Sequence, residues 1–132
     1  MVLSHPFRCP TRVIEGHGFD EALADLLDGQ TWALVTSPGW VRRGAVERLT
    51  ERCGPPRAVI SDVHANPSVS NVERLARRLP RTETVVALGG GSVIDATKGA
   101  AALQALSGDM DAFLAHLRGG KALPADLEPT PI

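Results

Sequence analysis

Apolar residues alternate along the chain between compact runs and helical stripes, and the two patterns predict different elements. Compact runs bounded by turn-forming residues predict three buried strands, at 32–36, 58–62 and 84–88. Stripes with the helical period predict amphipathic helices at 41–53 and 69–79. Ser68 and Ser70 both suit the N-cap of the second of these helices, so its start stays open by about a turn.

A third helix, from about Ser92 to Leu106, is apolar on most sides, so we expect it to be sandwiched between layers. Weaker signals predict a short strand at Arg12–Glu15 and helices at Phe19–Leu27 and Asp109–Leu117. Glycines and prolines favour a loop over residues 119–132, which ends in Pro131–Ile132, a pair typical of the beginning of another strand. We interpret this ending as a sign of truncation.

The order of these elements indicates the fold class. Successive strand–helix–strand units require right-handed crossovers, which place parallel strands in one sheet. The sequence therefore predicts an α/β fold, a doubly wound, Rossmann-like parallel sheet with helices on both faces. A length of 132 residues suits one domain, residues 1–132.

Charge and composition exclude several classes of function. Lys and Arg number 14 against 15 Asp and Glu, so no basic field is available to bind nucleic acid. No apolar run approaches the ~18 residues of a membrane span, and Met1–Pro10 lacks the pattern of a secretory signal, so we expect a cytoplasmic protein without a membrane partner. Cys9 and Cys53 have no CxxC partner and are expected to be reduced, buried thiols, and the four histidines lack metal-ligand spacing. We therefore predict no metal ligand in this chain.

The segment Gly89-Gly90-Gly91-Ser92 directly follows the third predicted strand and opens the Ala-rich helix. Such a turn suits phosphate, because backbone N–H groups converge at the helix N-terminus and glycines let the backbone approach closely. The hydroxyl of Ser92 can cap the helix or donate to a phosphate oxygen, and Asp95 stands at capping-box spacing from it. The alternative is a tight turn with a cap and no ligand.

The longer string from Gly89 to Lys98, GGGSVIDATK, resembles the GGGSxxDxxK signature of the iron-containing (group III) alcohol dehydrogenases. Upstream segments are also similar to the family pattern, namely Glu15–Gly18, Val35–Gly39 with Gly44, and Asn66–Pro67. The resemblance covers about residues 12–132, which correspond to the N-terminal nucleotide-binding domain of that family.

This resemblance implies an NAD(P)-dependent oxidoreductase that interconverts a small-molecule alcohol and an aldehyde or ketone near a bound Fe or Zn ion. By match of motif, Gly90, Gly91 and Ser92 hold the cofactor pyrophosphate, with Gly89 in the same turn. Asp95 lies near the ribose beside the nicotinamide, and Ser37 with Asn66 borders the adenosine end. For Lys98 we favour a plain ion pair with Asp95 over a role in binding.

The family's metal ligands come from a later helical domain, and a TTxGTGSE segment completes its cofactor site. Neither occurs in these residues, so the resemblance implies that the chain is the nucleotide-binding half of such an enzyme, with no catalytic residue of its own and inactive alone. We expect it to associate as a homodimer. The alternative is a stand-alone nucleotide-binding or interaction module without catalysis.

Cofactor choice depends on the residue after the first strand. Family members that favour NAD carry a carboxylate there, whereas this chain has Ser37, followed by Arg42 and Arg43. A hydroxyl does not repel a 2′-phosphate, and the arginines can supply positive charge, so NADP is favoured over NAD. The alternative is that Ser37 only begins a turn and both arginines point into solvent.

Overall fold

A computed structural model of the chain describes residues 11–16 and 18–132. Within them the elements follow in the order α1 (Phe19–Leu26), β1 (Trp32–Thr36), α2 (Pro38–Arg42), α3 (Ala45–Cys53), β2 (Val59–Ile60), α4 (Val69–Arg78), β3 (Thr84–Leu88), α5 (Gly91–Ala105) and α6 (Met110–Leu117). The three strands pair in parallel in the order β2-β1-β3. The predicted α/β class and parallel sheet are confirmed.

The central strand β1 explains why its sequence is a continuous apolar run. All five of its residues are buried, because β2 and β3 flank it and helices cover both faces. Ala33 and Val35 belong to an apolar core formed with α4, α5 and α6. Trp32 and Leu34 belong to a second core formed with α1 and α3. Helices therefore lie on both faces of the sheet, as predicted.

Helix α5 is fixed against its neighbour α4 by close packing and by side-chain hydrogen bonds. A Cβ atom on Gly99 would lie 3.0 Å from Val72 Cγ1, so the two helices approach closely at this glycine. Near the end of α5, Gln104 Nε2 donates to the carbonyl oxygens of Ala76 and Leu79 at 2.8 and 2.7 Å. These bonds satisfy carbonyl groups at the end of α4 that lack helical partners. Together the contacts set the position of α5 on the sheet.

Two predicted strands differ from the structure. The strand at Arg12–Glu15 is wrong: residues 11–15 form no strand and are exposed, because no described strand lies beside them to complete a ladder. The strand predicted at 58–62 shortens to Val59–Ile60, which pair with Leu34 and Val35 of β1. The chain then leaves the ladder.

The helix predicted at 41–53 is two helices, α2 and α3. Gly44 separates them at a φ of 75°, a left-handed conformation that breaks the helical hydrogen bonding and that glycine adopts without strain. Of the two candidate N-caps of α4, the structure has Ser68, whose hydroxyl accepts a hydrogen bond from the backbone amide of Asn71 at 3.3 Å.

The tail is a loop, as predicted, and its end lies beside β3. The amide of Val85 donates to the carbonyl oxygen of Pro131 at 2.8 Å, although residues 131–132 form no strand. No helix in the described part of the chain is both long and apolar enough to cross a membrane. Cys9 and His17 lie outside the described residues.

The loop that follows β2 is tied to α4 by an ion pair. Asp62 accepts two hydrogen bonds from Arg78 Nη1, at 2.8 and 2.7 Å, and this contact lowers the pKa of the carboxyl group below its ordinary value. Both side chains are about half exposed, so the pair is open to solvent.

We expect Asp62→Asn to lower the free energy of unfolding at neutral pH by at most about 1 kcal/mol, the upper range for exposed ion pairs. A carboxyl group whose pKa falls on folding stabilises the folded state above its unfolded pKa of about 3.9. That contribution is lost as the pH falls through the folded pKa. Urea unfolding should therefore separate the two proteins at pH 7 and not in stronger acid, and a separation that grows toward acid contradicts the assignment.

Candidate functional site

The carboxyl ends of β1 and β3 meet at one edge of the sheet. Thr36 and Leu88, the last residues of the two strands, are paired in register. After Thr36 the chain enters the helices of one face, and after Leu88 it enters α5 on the other face. In open α/β sheets a crevice forms where neighbouring strands diverge in this way, and ligands bind there.

A buried hydrogen bond joins the two strand ends. Thr36 is fully buried, and its hydroxyl donates to the carbonyl oxygen of Leu88 at 2.7 Å. The bond satisfies a polar group in the core and holds the ends of the strands together. The residues that follow, Ser37 and Gly89, therefore begin the two walls of the crevice.

Gly89 is required by the packing of the chain itself. A Cβ atom at this position would lie 2.6 Å from Val93 Cγ2 and 2.9 Å from Val93 Cβ. Val93 belongs to the first turn of α5, and its side chain is buried in the core. Only glycine lets the strand turn this tightly into the helix.

Gly90 and Gly91 are different, because nothing in the described structure accounts for them. No atom lies within 4 Å of a Cβ built on either residue. The backbone of Gly90 is extended, at a φ of −81°, so its conformation does not demand glycine either. Side chains here would project into open space at the crevice. The pair fits a ligand that lies directly against the backbone.

The amide groups of this turn suit an anion. The amides of Val93 and Ile94 both donate to the carbonyl oxygen of Gly90, at 3.1 and 3.2 Å, and so begin the hydrogen bonding of α5. The preceding amides, those of Gly91 and Ser92, have no backbone acceptor among the described residues. Free amides at the start of a 15-residue helix, whose dipole is positive there, can bind a phosphate oxygen.

Ser92 is not the helix cap that its spacing suggests. The helix begins at Gly91 with Gly90 as N-cap, so Ser92 lies inside the first turn and makes no capping box with Asp95. Its hydroxyl instead accepts from the backbone amide of Asn66 at 3.1 Å. Two predicted site residues that are 26 positions apart are thereby brought together.

Asp95 and Lys98 lie on the exposed side of α5, one turn beyond the glycines. No ion pair joins them within residues 11–16 and 18–132, so the predicted pairing of Lys98 is wrong. Asp95 is left exposed near the crevice, and Lys98 forms no ion pair with any described residue.

The other wall of the crevice holds Ser37 and one of the two predicted arginines. A Cβ atom on Gly39 would lie 3.9 Å from both Ser37 Oγ and Arg42 Nη2, so these two side chains flank the same turn. The guanidinium of Arg43 instead lies 5.2 Å from the centre of the Trp40 ring, a cation–π distance. Arg42 is thus placed beside Ser37, and Arg43 is held by Trp40.

Residues 10–131 match the sequence profile of a family described as iron-containing alcohol dehydrogenase. The chain belongs to this family. A segment of 75 residues is also 43% identical to phosphonoacetaldehyde reductase of Streptomyces viridochromogenes. That segment is 54% of this chain and 18% of the reductase, so the chain spans less than a fifth of that relative's length.

A metal ion of this family would need several ligand side chains close together in the structure. No group of three His, Cys, Asp or Glu side chains clusters anywhere in residues 11–16 and 18–132. Cys53 is half-buried against the core between α3 and the sheet, where burial, and then the charge of Asp20, raises the pKa of its thiol. This thiol is a packing group in a region away from the crevice.

Two features of the site are not predicted by the sequence pattern. The first is the Thr36 hydroxyl, whose only signal is a hydroxyl residue at the end of an otherwise apolar strand. The second is the division of the three glycines, since Gly89 serves the packing of Val93 while Gly90 and Gly91 border open space.

The different surroundings of Gly89 and Gly91 predict different effects of substitution on the stability of the domain. We expect Gly89→Ala to lower the free energy of unfolding by about 1–3 kcal/mol, because Val93 must move to admit the methyl group. Gly91→Ala meets no neighbour and should change it by no more than about 0.5 kcal/mol. Urea denaturation of the two variants and the wild type measures both values. Equal losses in the two variants would show that the packing around Gly89 is wrongly assigned.

Proposed function

We propose that this chain is the nucleotide-binding part of an NAD(P)-linked, metal-dependent alcohol dehydrogenase that interconverts an alcohol and an aldehyde or ketone by hydride transfer. One observation carries the proposal: Gly90 and Gly91 open onto empty space at the N-terminus of α5, in the crevice between β1 and β3. A dinucleotide pyrophosphate has the charge and the close backbone approach that this turn accommodates. Membership of the iron-containing family supports the same cofactor class.

In this proposal the residues of the chain bind and orient. The amides of Gly91 and Ser92 hold pyrophosphate oxygens, and Asp95 faces the ribose nearer the nicotinamide. Ser37 borders the adenosine end on the other wall, and Asn66 lies beside Ser92. When bound, the nicotinamide supplies the hydride donor or acceptor. No cluster of the described residues fits Fe or Zn, so no step is assigned to a metal held by this chain.

The relative supports a substrate class for this proposal. Its name describes the reduction of an aldehyde, and we extend only that class, a small aldehyde and its alcohol, to the protein proposed here. Association as a homodimer stays a prediction. It is supported by exposed apolar side chains near the start of the described residues, namely Val13, Ile14 and Leu26. Localisation in the cytoplasm also stays a prediction.

Binding of ADP, which contains the pyrophosphate without the nicotinamide, tests the proposal by isothermal titration. We expect the chain to bind ADP and Gly91→Ala to bind it about tenfold or more weakly, because the new methyl group occupies the space needed for close approach. Gly120→Ala is the matched control, because Gly120 lies in the loop after α6, away from the crevice. A Cβ atom there would make an ordinary contact of 3.5 Å with the carbonyl oxygen of Ala115. Absence of ADP binding, or equal affinity of the two variants, contradicts the proposed site.

Cofactor choice is tested by replacing the residues at the Ser37 turn. We expect Ser37→Asp to shift the ratio of the NADP and NAD dissociation constants toward NAD by about tenfold, or about 1.4 kcal/mol, because the carboxylate repels a 2′-phosphate. Arg42→Ala should weaken NADP and leave NAD unchanged. Arg43→Ala is the matched control and should change neither, since that guanidinium stacks on Trp40. An unchanged ratio in Ser37→Asp, or an equal loss in Arg43→Ala, contradicts the assignment.

A further inference from the structure

We infer that Asn66 is a positioning residue, whose backbone amide holds the Ser92 hydroxyl so that this hydroxyl donates to the bound anion. The inference rests on the proposed nucleotide-binding function and deepens it. The family resemblance implies a contact from Asn66 to the adenosine end of the cofactor. The structure indicates that Asn66 acts through Ser92, at the pyrophosphate.

The hydrogen bond between the two residues fixes the direction of the Ser92 hydroxyl. A serine hydroxyl has one hydrogen to donate and two lone pairs to accept. One lone pair of Ser92 accepts from the amide of Asn66 at 3.1 Å. Its hydrogen has no acceptor among the described residues, so it is free to donate outward. Ser92 lies one residue beyond Gly91, so the hydroxyl hydrogen and the free amides of the turn can serve one anion together.

The conformation of Asn66 makes this contact dependent on residue type. Asn66 has a φ of 51°, in the left-handed region that most residues avoid but that asparagine and glycine tolerate. Its side chain is exposed and forms no hydrogen bond with any described residue. What Asn66 contributes in the structure is therefore a backbone amide presented in an unusual conformation.

The loop around Asn66 is anchored on both sides, so the amide is held in place. Before it, Asp62 is bound to Arg78 of α4. After it, Ser68 caps α4 by accepting from the amide of Asn71. Helix α4 is hydrogen-bonded to α5 through Gln104. The loop leads into α4 and the glycine turn leads into α5, so this bonded pair of helices fixes the loop relative to the turn. A small change of backbone at Asn66 would therefore act on Ser92 and leave the rest of the crevice in place.

A pair of substitutions separates the backbone role from a side-chain role. Asn66→Gly and Asn66→Ala both remove the side-chain amide, and both retain the backbone N–H. Glycine adopts the left-handed conformation freely, whereas alanine is strained there and favours a relaxed loop that withdraws the amide from Ser92. We expect Asn66→Gly to bind ADP within about twofold of the wild type and Asn66→Ala to bind it about three- to tenfold more weakly, less than the loss of a full charge-assisted hydrogen bond.

Two further measurements show whether the effect passes through Ser92. Adenosine lacks phosphate, so its affinity, measured by the same titration, should be equal in both Asn66 variants and the wild type. In a Ser92→Ala background, Asn66→Ala should cost no further affinity for ADP, which is the signature of coupled residues in a double-mutant cycle. Circular dichroism of each variant checks that the chain is folded.

The outcomes distinguish failure of this inference from failure of the proposed function. If the wild-type chain does not bind ADP, the nucleotide-binding function itself fails. If ADP binds and the two Asn66 variants lose affinity equally, the side chain of Asn66 contacts the ligand and the positioning role is wrong. The positioning role is also wrong if Asn66→Ala binds ADP as tightly as the wild type does. It is wrong as well if Asn66→Ala lowers the affinity for ADP by the same factor in the Ser92→Ala background as in the wild type.

Discussion

Parallel pairing of β1 with β3 is the constraint on which the candidate site depends. The register runs from Trp32 opposite Thr84 to Thr36 opposite Leu88, so both strands end at the same level of the sheet. The burial of Trp32 and Leu34 on one face and of Val35 on the other holds β1 in the centre. The hydrogen bond from Thr36 to the Leu88 carbonyl then joins the two ends. The segments that follow the two strands lead to helices on opposite faces of the sheet, so a crevice forms between these segments.

The start of α5 turns this crevice into a candidate anion site. Close contact between Gly89 and Val93 sets the tight passage from strand to helix, and the bonds of Gln104 to α4 fix the far part of the same helix. With both ends of α5 placed, its free amides face the crevice. The packing that stabilises the domain therefore also positions the turn that suits a phosphate. Gly90 and Gly91 take no part in that packing, and their open side is available to a ligand.

Much of this arrangement can be predicted from sequence because it rests on local pattern. The strands β1 and β3 are predicted to the residue, since a strand buried on both faces reads as an unbroken apolar run. The failures have non-local or single-residue causes. Arg12–Glu15 has strand-like residues and no neighbouring strand, and Gly44 divides a helix whose apolar stripe continues through the break. The glycine turn can be found from its sequence. The hydrogen bond from Asn66 to Ser92 cannot, because it depends on how the packing of α4 against α5 places two separate loops.

The most direct test of the candidate site is to locate the ligand on the folded chain by its effect on backbone amides. Amide NMR spectra of the nitrogen-labelled protein, recorded during titration with ADP, report each amide separately. The largest changes should occur at Gly90, Gly91 and Ser92, with a further change at Asn66. Changes confined to another concave surface, such as the groove of about 310 Å³ between α4 and α5 lined by Arg77, Arg81 and Ser107, would contradict binding at the crevice.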